Sequence, residues 1–170
     1  MTTLVFDIET DGLLDTVSKV HCIVLHNPEE PQVYHRHYGS GIQMALWELE
    51  QADTIVAHNQ ISYDLPVLEK LYPSFQRPPL NRIIDTLVLS RLYNPDLKGH
   101  SLEAWAKRLI KKGLKVPEKH FIADWSNQSL EDYLVRCETD VMINAELWKG
   151  LSRYVEPENL GRSELWERIT

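Results

Sequence analysis

The chain has 170 residues, of which 43% are hydrophobic and 25% charged, and its formal net charge is −7. This length suits one domain with one core, and the composition is that of a globular rather than a disordered protein. No apolar run approaches the roughly 20 residues of a membrane span, and the N-terminus lacks the features of a secretory signal. We therefore expect a cytoplasmic protein with no membrane partner.

Short runs of β-branched and aromatic residues predict five strands. The predicted strands are Thr3–Ile8, Val20–His26, Gln32–Tyr38, Asp53–Ala57 and Arg82–Ile84. Apolar residues at helical spacing predict the helices between and after them. These run from Ile42 to about Gln51, from a Ser62 cap to Leu71, from an Asp85 or Thr86 cap to Leu92, from Ser101 to near Gly113, and from a Ser129 cap to about Tyr154. Three strands followed by alternating helices and strands indicate an α/β fold on a mixed sheet.

The same patterns suggest one domain over residues 1–155, followed by a polar, peripheral tail over residues 156–170. The seven histidines show no metal-ligand spacing. His35 and His37 alternate on a predicted edge strand, and we interpret them as surface residues.

The first functional signal is a pair of acids on the first strand. Asp7 and Glu9 are two positions apart, so their side chains point to the same face. Two carboxylates on a buried apolar strand are costly unless a positive charge pairs with them, and carboxylate oxygens suit a hard divalent cation. The alternative is that both acids lie at a frayed strand end and are solvated.

Two further acids follow later in the chain. The segment His58-Asn59-Gln60-Ile61-Ser62-Tyr63-Asp64 directly follows the fourth strand, at the edge where open α/β sheets bind ligands. Asp64 is therefore a candidate site residue, or simply an acid that the helix dipole favours in a first turn. Asp140 lies beside the apolar stripe of the last helix, and its alternative role is an ion pair with Arg136.

Together these elements resemble the DEDD (DnaQ-like) 3′–5′ exonuclease superfamily. The resemblance rests on Phe6-Asp7-Ile8-Glu9-Thr10-Asp11-Gly12-Leu13, on His58-Asn59 with Tyr63-Asp64, and on Cys137-Glu138-Thr139-Asp140-Val141. It is closest to the proofreading domain of family A phage DNA polymerases, where it extends to residues 84–92 and 100–105. The likeness covers about residues 3 to 153.

The resemblance implies a ribonuclease-H-like fold with a central mixed five-stranded sheet flanked by helices. It also implies two Mg²⁺ ions, for which Mn²⁺ would substitute. The implied metal ligands and catalytic acids are Asp7, Glu9, Asp64 and Asp140. The implied substrate-binding residues are Thr10, His58, Asn59 and Tyr63, with Asn59 positioning the terminal nucleotide.

The last helix departs from the family pattern. The family has a tyrosine four positions before the last aspartate or a histidine five before it, where this chain has Arg136 and Val135. Arginine cannot act as a base, but Arg136 could hold the attacking water or stabilise charge on the scissile phosphate, which would make it catalytic. It could equally form a structural ion pair with Asp140 or Glu9. Tyr133, two helical turns from Asp140, is too distant to replace the missing tyrosine.

One stretch of this acidic chain is strongly basic. Residues 98–119 contain seven Lys or Arg against two Glu. Lys107, Lys111 and Lys115 are therefore candidate contacts to nucleic-acid phosphates. A solvated helix face is the alternative interpretation.

The sequence thus predicts a metal-dependent 3′–5′ exonuclease that hydrolyses terminal phosphodiesters of single-stranded DNA and releases nucleoside 5′-monophosphates. We expect it to work in proofreading or DNA processing, alone or beside a separate polymerase subunit, and in the host cytoplasm if a phage encodes it. Two alternatives stay open. One is an exoribonuclease that acts on short RNA, and the other is a non-catalytic nucleic-acid or polymerase-binding module, supported only by the departure at Arg136.

Overall fold

The computed structural model describes residues 1–117 and 128–154, so the predicted tail over residues 156–170 lies outside the described residues. Its centre is a five-stranded sheet in the order β3-β2-β1-β4-β5. The strands are β1 (Thr3–Thr10), β2 (Val20–His26), β3 (His35–Tyr38), β4 (Thr54–Ala57) and β5 (Ile83–Asp85). The β1–β2 and β2–β3 pairs are antiparallel, whereas β1–β4 and β4–β5 are parallel. The predicted mixed five-stranded sheet is confirmed.

Five α-helices lie within the described ranges. They are α1 (Ile42–Gln51), α2 (Asp64–Leu71), α3 (Thr86–Tyr93), α4 (Leu102–Lys111) and α5 (Leu130–Leu151). Three begin at predicted caps, which are Asp85, Ser101 and Ser129. Ser129 also forms a reciprocal capping box with Asp132, which fixes the start of α5. Within these described ranges, no helix is long and apolar enough to cross a bilayer.

Several predicted boundaries differ by one to three residues, and at two of them a turn replaces the expected element. Helix α2 begins at Asp64, and Ser62 does not cap it, because the backbone N–H groups of Ser62 and Tyr63 both bond to the carbonyl of Asn59. Strand β3 begins at His35 rather than at Gln32. Gln32 has a φ of 70°, in the left-handed region that a strand excludes.

Alternation along β1 divides the core between the two faces of the sheet. The even positions Leu4, Phe6 and Ile8 belong to the apolar cluster that contains residues of α1 and α2. The odd position Val5 belongs to the cluster that contains the inward face of α5. Since Asp7 and Glu9 share the parity of Val5, the sheet turns both acids towards α5.

Helix α4 adds an outer layer against α5. Leu102, Trp105 and Leu109 of α4 pack with Ile143 and Leu147 of α5 in a third buried cluster. Helix α5 is thus covered on two sides, by the sheet and by α4, which fixes the position of the acid that it carries. This double contact explains why so many of its residues are buried.

The burial of Ile143 gives a prediction about stability. Ile143 is 0% exposed, so Ile143→Ala leaves a cavity and should lower the free energy of unfolding by about 2–5 kcal/mol. Val135 of the same helix is 37% exposed, and Val135→Ala should change stability by less than about 0.5 kcal/mol. Urea unfolding followed by circular dichroism measures both. Similar losses in the two variants would contradict the placement of Ile143 in the core.

Candidate active site

Three acids meet where α5 crosses the odd-numbered face of β1. Carboxylate oxygens of Asp7, Glu9 and Asp140 all lie within 4.8 Å of one another. Glu9 and Asp140 are only 7% and 4% exposed, and Asp7 is partly buried. Three carboxylates this close repel each other, and hard cations take oxygen ligands at such sites. The chemistry of this donor set therefore fits Mg²⁺ or Mn²⁺.

Asp64, the fourth predicted ligand, lines the same cavity from the first residue of α2 but stands outside the 4.8 Å cluster. Burial raises the pKa of Asp64 to about 7, and the charges of Asp85 and Glu9 add to the shift. Backbone hydrogen bonds at Asp64 itself and at Ile8 act in the opposite direction. Without a cation, this buried carboxyl therefore keeps its proton to higher pH than an exposed aspartate does.

Arg136 forms an ion pair with one of the three clustered acids. Its Nε lies 2.8 Å from Oε1 of Glu9, and the two side chains are 17% and 9% exposed. Of the two pairings that the sequence allowed, the structure contains the one with Glu9. The guanidinium also lines the cavity, so it places a fixed positive charge beside the acids.

A cavity of about 530 Å³ opens beside the acids. Its walls include all four predicted substrate-binding residues outside the basic stretch, which are Thr10, His58, Asn59 and Tyr63. Tyr133 also lines it, although the sequence analysis set this residue aside. Its ring stacks on His21 with 4.1 Å between centroids. The seven-residue spacing from Asp140, which returns to nearly the same helix face, is the sequence signal for this placement.

Tyr63 and Thr10 fasten the start of α2 to the end of β1. The hydroxyl of Tyr63 donates to the carbonyl oxygen of Gly12 at 2.6 Å and also contacts the hydroxyl of Thr10. Thr10 Oγ1 lies 3.0 Å from the same carbonyl. Both side chains thus have a structural role, and their contact with substrate stays a prediction.

Asp85 holds the turn that carries Asn59, a role that the sequence analysis missed. Its carboxylate accepts hydrogen bonds from the backbone N–H groups of Asn59 and Ile61, at 3.0 and 3.1 Å, besides capping α3. Asn59 has a φ of 68°, and such left-handed residues outside glycine persist only where neighbouring groups hold them. The helix cap that the sequence predicts is therefore also a support of the cavity wall.

His58 is held through a buried polar chain. Thr86 Oγ1 donates to Asn144 Oδ1 at 2.6 Å and lies 2.9 Å from His58 Nδ1. The threonine hydroxyl thus links His58 to the buried Asn144 side chain of α5.

The three candidate lysines do not line the cavity. Lys107 forms an ion pair with Glu103 at 2.6 Å on the surface of α4, and Lys111 and Lys115 are exposed. Surface positions suit either a phosphate contact or a solvated face. Their contact with nucleic acid therefore stays a prediction.

The sequence is similar to known nucleic-acid enzymes. A family model of the RNase_H superfamily matches residues 4–147. The DNA-directed DNA polymerase of Enterobacteria phage T3 is 30% identical over 211 residues, covering 96% of this chain and 29% of the polymerase. The polymerase of Escherichia phage T7 is 30% identical with the same coverage. The chain thus spans less than a third of the length of these relatives.

Solved structures share the fold at lower identity. NrnC of Brucella melitensis bound to pGG has a TM-score of 0.67 at 19% identity, covering 98% of this chain and 76% of NrnC. The family B DNA polymerase of Pyrobaculum calidifontis has a TM-score of 0.65 at 16% identity, covering 90% of this chain and 25% of the polymerase. At these identities the likeness establishes the ribonuclease-H-like fold alone.

Asp64 gives a prediction about the metal-free protein. Folding raises its pKa from 3.8 to about 7, so the unfolded chain ionises first and the fold loses stability as pH rises from about 4 to 7. Asp64→Asn removes this charge at nearly constant volume. In EDTA it should raise the free energy of unfolding at about pH 8 by on the order of a few kcal/mol, with little gain at about pH 4.

Chemical denaturation at the two pH values measures this effect. Asp15→Asn is the matched control, since Asp15 is exposed, and it should show no gain that depends on pH. An equal gain for Asp64→Asn at both pH values would contradict the raised pKa.

Proposed function

The chain belongs to the RNase_H superfamily, and we propose that within it the protein is a divalent-metal-dependent 3′–5′ exonuclease of single-stranded DNA. The observation that carries the proposal is the convergence of Asp7, Glu9 and Asp140 within 4.8 Å beside a polar-lined cavity. The phage relatives are DNA polymerases, and one NrnC structure contains bound Mg²⁺. Both findings support a nucleic-acid substrate and a divalent metal.

The four acids would together coordinate two ions. Asp7, Glu9 and Asp140 would supply the clustered oxygen ligands, and Asp64 would join them once a cation favours its ionised form. Such ions lower the pKa of water and neutralise charge on a phosphodiester during hydrolysis. The products would be a nucleoside 5′-monophosphate and a strand shortened by one nucleotide.

The cavity itself favours a strand end over a duplex. Its volume of about 530 Å³ is that of a pocket for one small ligand. A terminal, unpaired nucleotide would fit such a space, and unpairing costs free energy in a duplex but little in a single strand. Asn59 and Tyr133 would contact this nucleotide from the cavity wall.

Arg136 would act on the phosphate rather than as a base. Its ion pair with Glu9 keeps the guanidinium at the cavity wall. From there it can stabilise negative charge that develops on the scissile phosphate. Lys107, Lys111 and Lys115 would contact phosphates further along the strand. A separate polymerase subunit is the proposed partner, by analogy with the phage polymerases.

An end-labelled oligonucleotide tests the proposed reaction. A single strand of DNA should be shortened from its 3′ end in Mg²⁺ or Mn²⁺, should be cut more slowly as a blunt duplex, and should be inert in EDTA. Asp7→Ala should abolish both the cleavage and most of the rise in melting temperature that Mn²⁺ causes, because ligand binding stabilises the folded state by mass action.

The alternatives give different results in the same assay. Faster cleavage of an RNA strand would indicate that the protein is an exoribonuclease rather than a DNA exonuclease. First release of a 5′ label would contradict the polarity. If the protein bound the strand but did not cleave it with any metal, the remaining hypothesis would be a non-catalytic nucleic-acid-binding module.

Arg136 gives a separate prediction. Arg136→Ala should lower kcat by roughly 10²-fold or more if the guanidinium stabilises the transition state. Arg136→Tyr, which restores the usual residue of the family, should retain or recover turnover. In EDTA, Arg136→Ala should also lose on the order of 3 kcal/mol, because Glu9 stays buried without its cation.

Steady-state kinetics at saturating Mg²⁺, with Val135→Ala as the control, distinguishes a catalytic role of Arg136 from a purely structural one. A merely structural Arg136 would show the loss of stability with normal turnover. If the Ala and Tyr variants both matched the starting protein in kcat, we would abandon a catalytic role for position 136.

A further inference from the structure

A second group of metal-binding side chains lies at the edge of the sheet, away from the active-site cavity. His35 and His37 of β3 and Glu48 of α1 offer ligand atoms that all lie within 4.8 Å of one another. None of the three lines the active-site cavity. The interpretation of the two histidines as plain surface residues is therefore incomplete, because Glu48 of the next helix reaches them across the face of the sheet.

The register of the sheet explains why the two rings face α1. His35 pairs with Leu25 and His37 with Ile23, and both partners belong to the cluster that contains α1. Residues two apart on a strand share one face, so both histidines lie on the covered side. Their rings are nearly parallel, with 13° between planes and 6.5 Å between centroids.

The position of the His37 ring suits a metal ligand. Its Nε2 is buried, has no hydrogen-bond partner among the described residues, and lies 3.5 Å from Oε1 of Glu48. An imidazole nitrogen that no hydrogen bond occupies can serve as a metal ligand.

The separation of His37 Nε2 from Glu48 Oε1 also suits a bound ion. Tetrahedral zinc with bonds of about 2.0–2.1 Å keeps its ligand atoms roughly 3.3 Å apart. The 3.5 Å between His37 Nε2 and Glu48 Oε1 is close to this value.

We propose that His35, His37 and Glu48 bind a zinc-like divalent transition-metal ion that joins the edge strand β3 to α1. Two imidazole nitrogens and one carboxylate form a donor set for zinc and its neighbours, whereas the all-oxygen cluster at Asp7 suits Mg²⁺ or Mn²⁺. A cavity of about 290 Å³, lined by His35 and Glu48, leaves room for water as the fourth ligand. This site goes beyond the proposed exonuclease and does not depend on it.

The ion would secure one edge of the sheet. Strand β3 has four residues, lies at the end of the strand order, and is largely exposed. An edge strand this short has few ladder bonds, and unsecured edges invite pairing with other chains. An ion that binds only the folded arrangement of β3 and α1 stabilises that arrangement.

Titration of the metal-stripped protein with Zn²⁺ and Co²⁺ tests the proposal. The titration is run in an Asp7→Ala background as well, so that the acidic cluster contributes little. We expect one zinc equivalent in that background, a rise in melting temperature, and the strong visible absorption of tetrahedral Co²⁺. His35→Ala and Glu48→Gln should each weaken zinc binding by roughly 10–100-fold or more. Loss of a residue that only hydrogen-bonds a metal ligand already weakens binding by that factor, and these two residues are proposed as ligands themselves.

Glu50→Gln is the matched control. It lies on the same helix, and its oxygen can still accept the backbone N–H of Gln76, so its zinc affinity should be unchanged. Because His35 is exposed, its replacement leaves the fold intact, which circular dichroism verifies. Equal zinc affinity in all variants, or zinc binding lost only in Asp7→Ala, would overturn the proposal.

Discussion

The repulsion among buried carboxylates is the constraint on which the site depends. Asp7, Glu9 and Asp140 lie within 4.8 Å of one another on a face that also carries apolar core. The metal-free protein meets this constraint in two ways. Arg136 pairs with Glu9, and burial raises the pKa of Asp64, which disfavours its negative charge. Bound cations would offset the negative charge of the carboxylates in place of both effects. The residues that balance charge in the fold are therefore also those proposed to bind the metal.

The surrounding structure holds the acids in place despite their repulsion. The thiol of Cys137 donates to the carbonyl of Asp7 at 3.1 Å, and burial raises the pKa of that thiol, so it keeps its proton. This bond ties α5 to β1 three residues before Asp140. On the other side of the cavity, Asp85 holds the strained turn at Asn59. Hydrogen bonds between side chains and backbone groups thus hold both sides of the cavity.

The sheet separates two kinds of donor set onto its two faces. Oxygen ligands gather on the face that α5 covers, whereas two imidazoles and a carboxylate gather on the face that α1 covers. The first set suits hard ions, and the second suits borderline ions that bind nitrogen. The register of the sheet keeps the two sets apart, because Asp7 pairs with Val24 whereas His37 pairs with the neighbouring Ile23, and neighbouring side chains point to opposite faces.

The sequence by itself determined the strands, most helix caps and the shared face of Asp7 and Glu9, because periodicity and capping are local properties of the chain. It also predicted that the segment containing Asn59 belongs to the site, because this segment follows a strand and resembles a family motif. Only the tertiary structure decided that Arg136 pairs with Glu9 and that His35 and His37 meet Glu48. Those pairings depend on how separate elements pack, and distances across a fold are not encoded in the spacing of residues along one element.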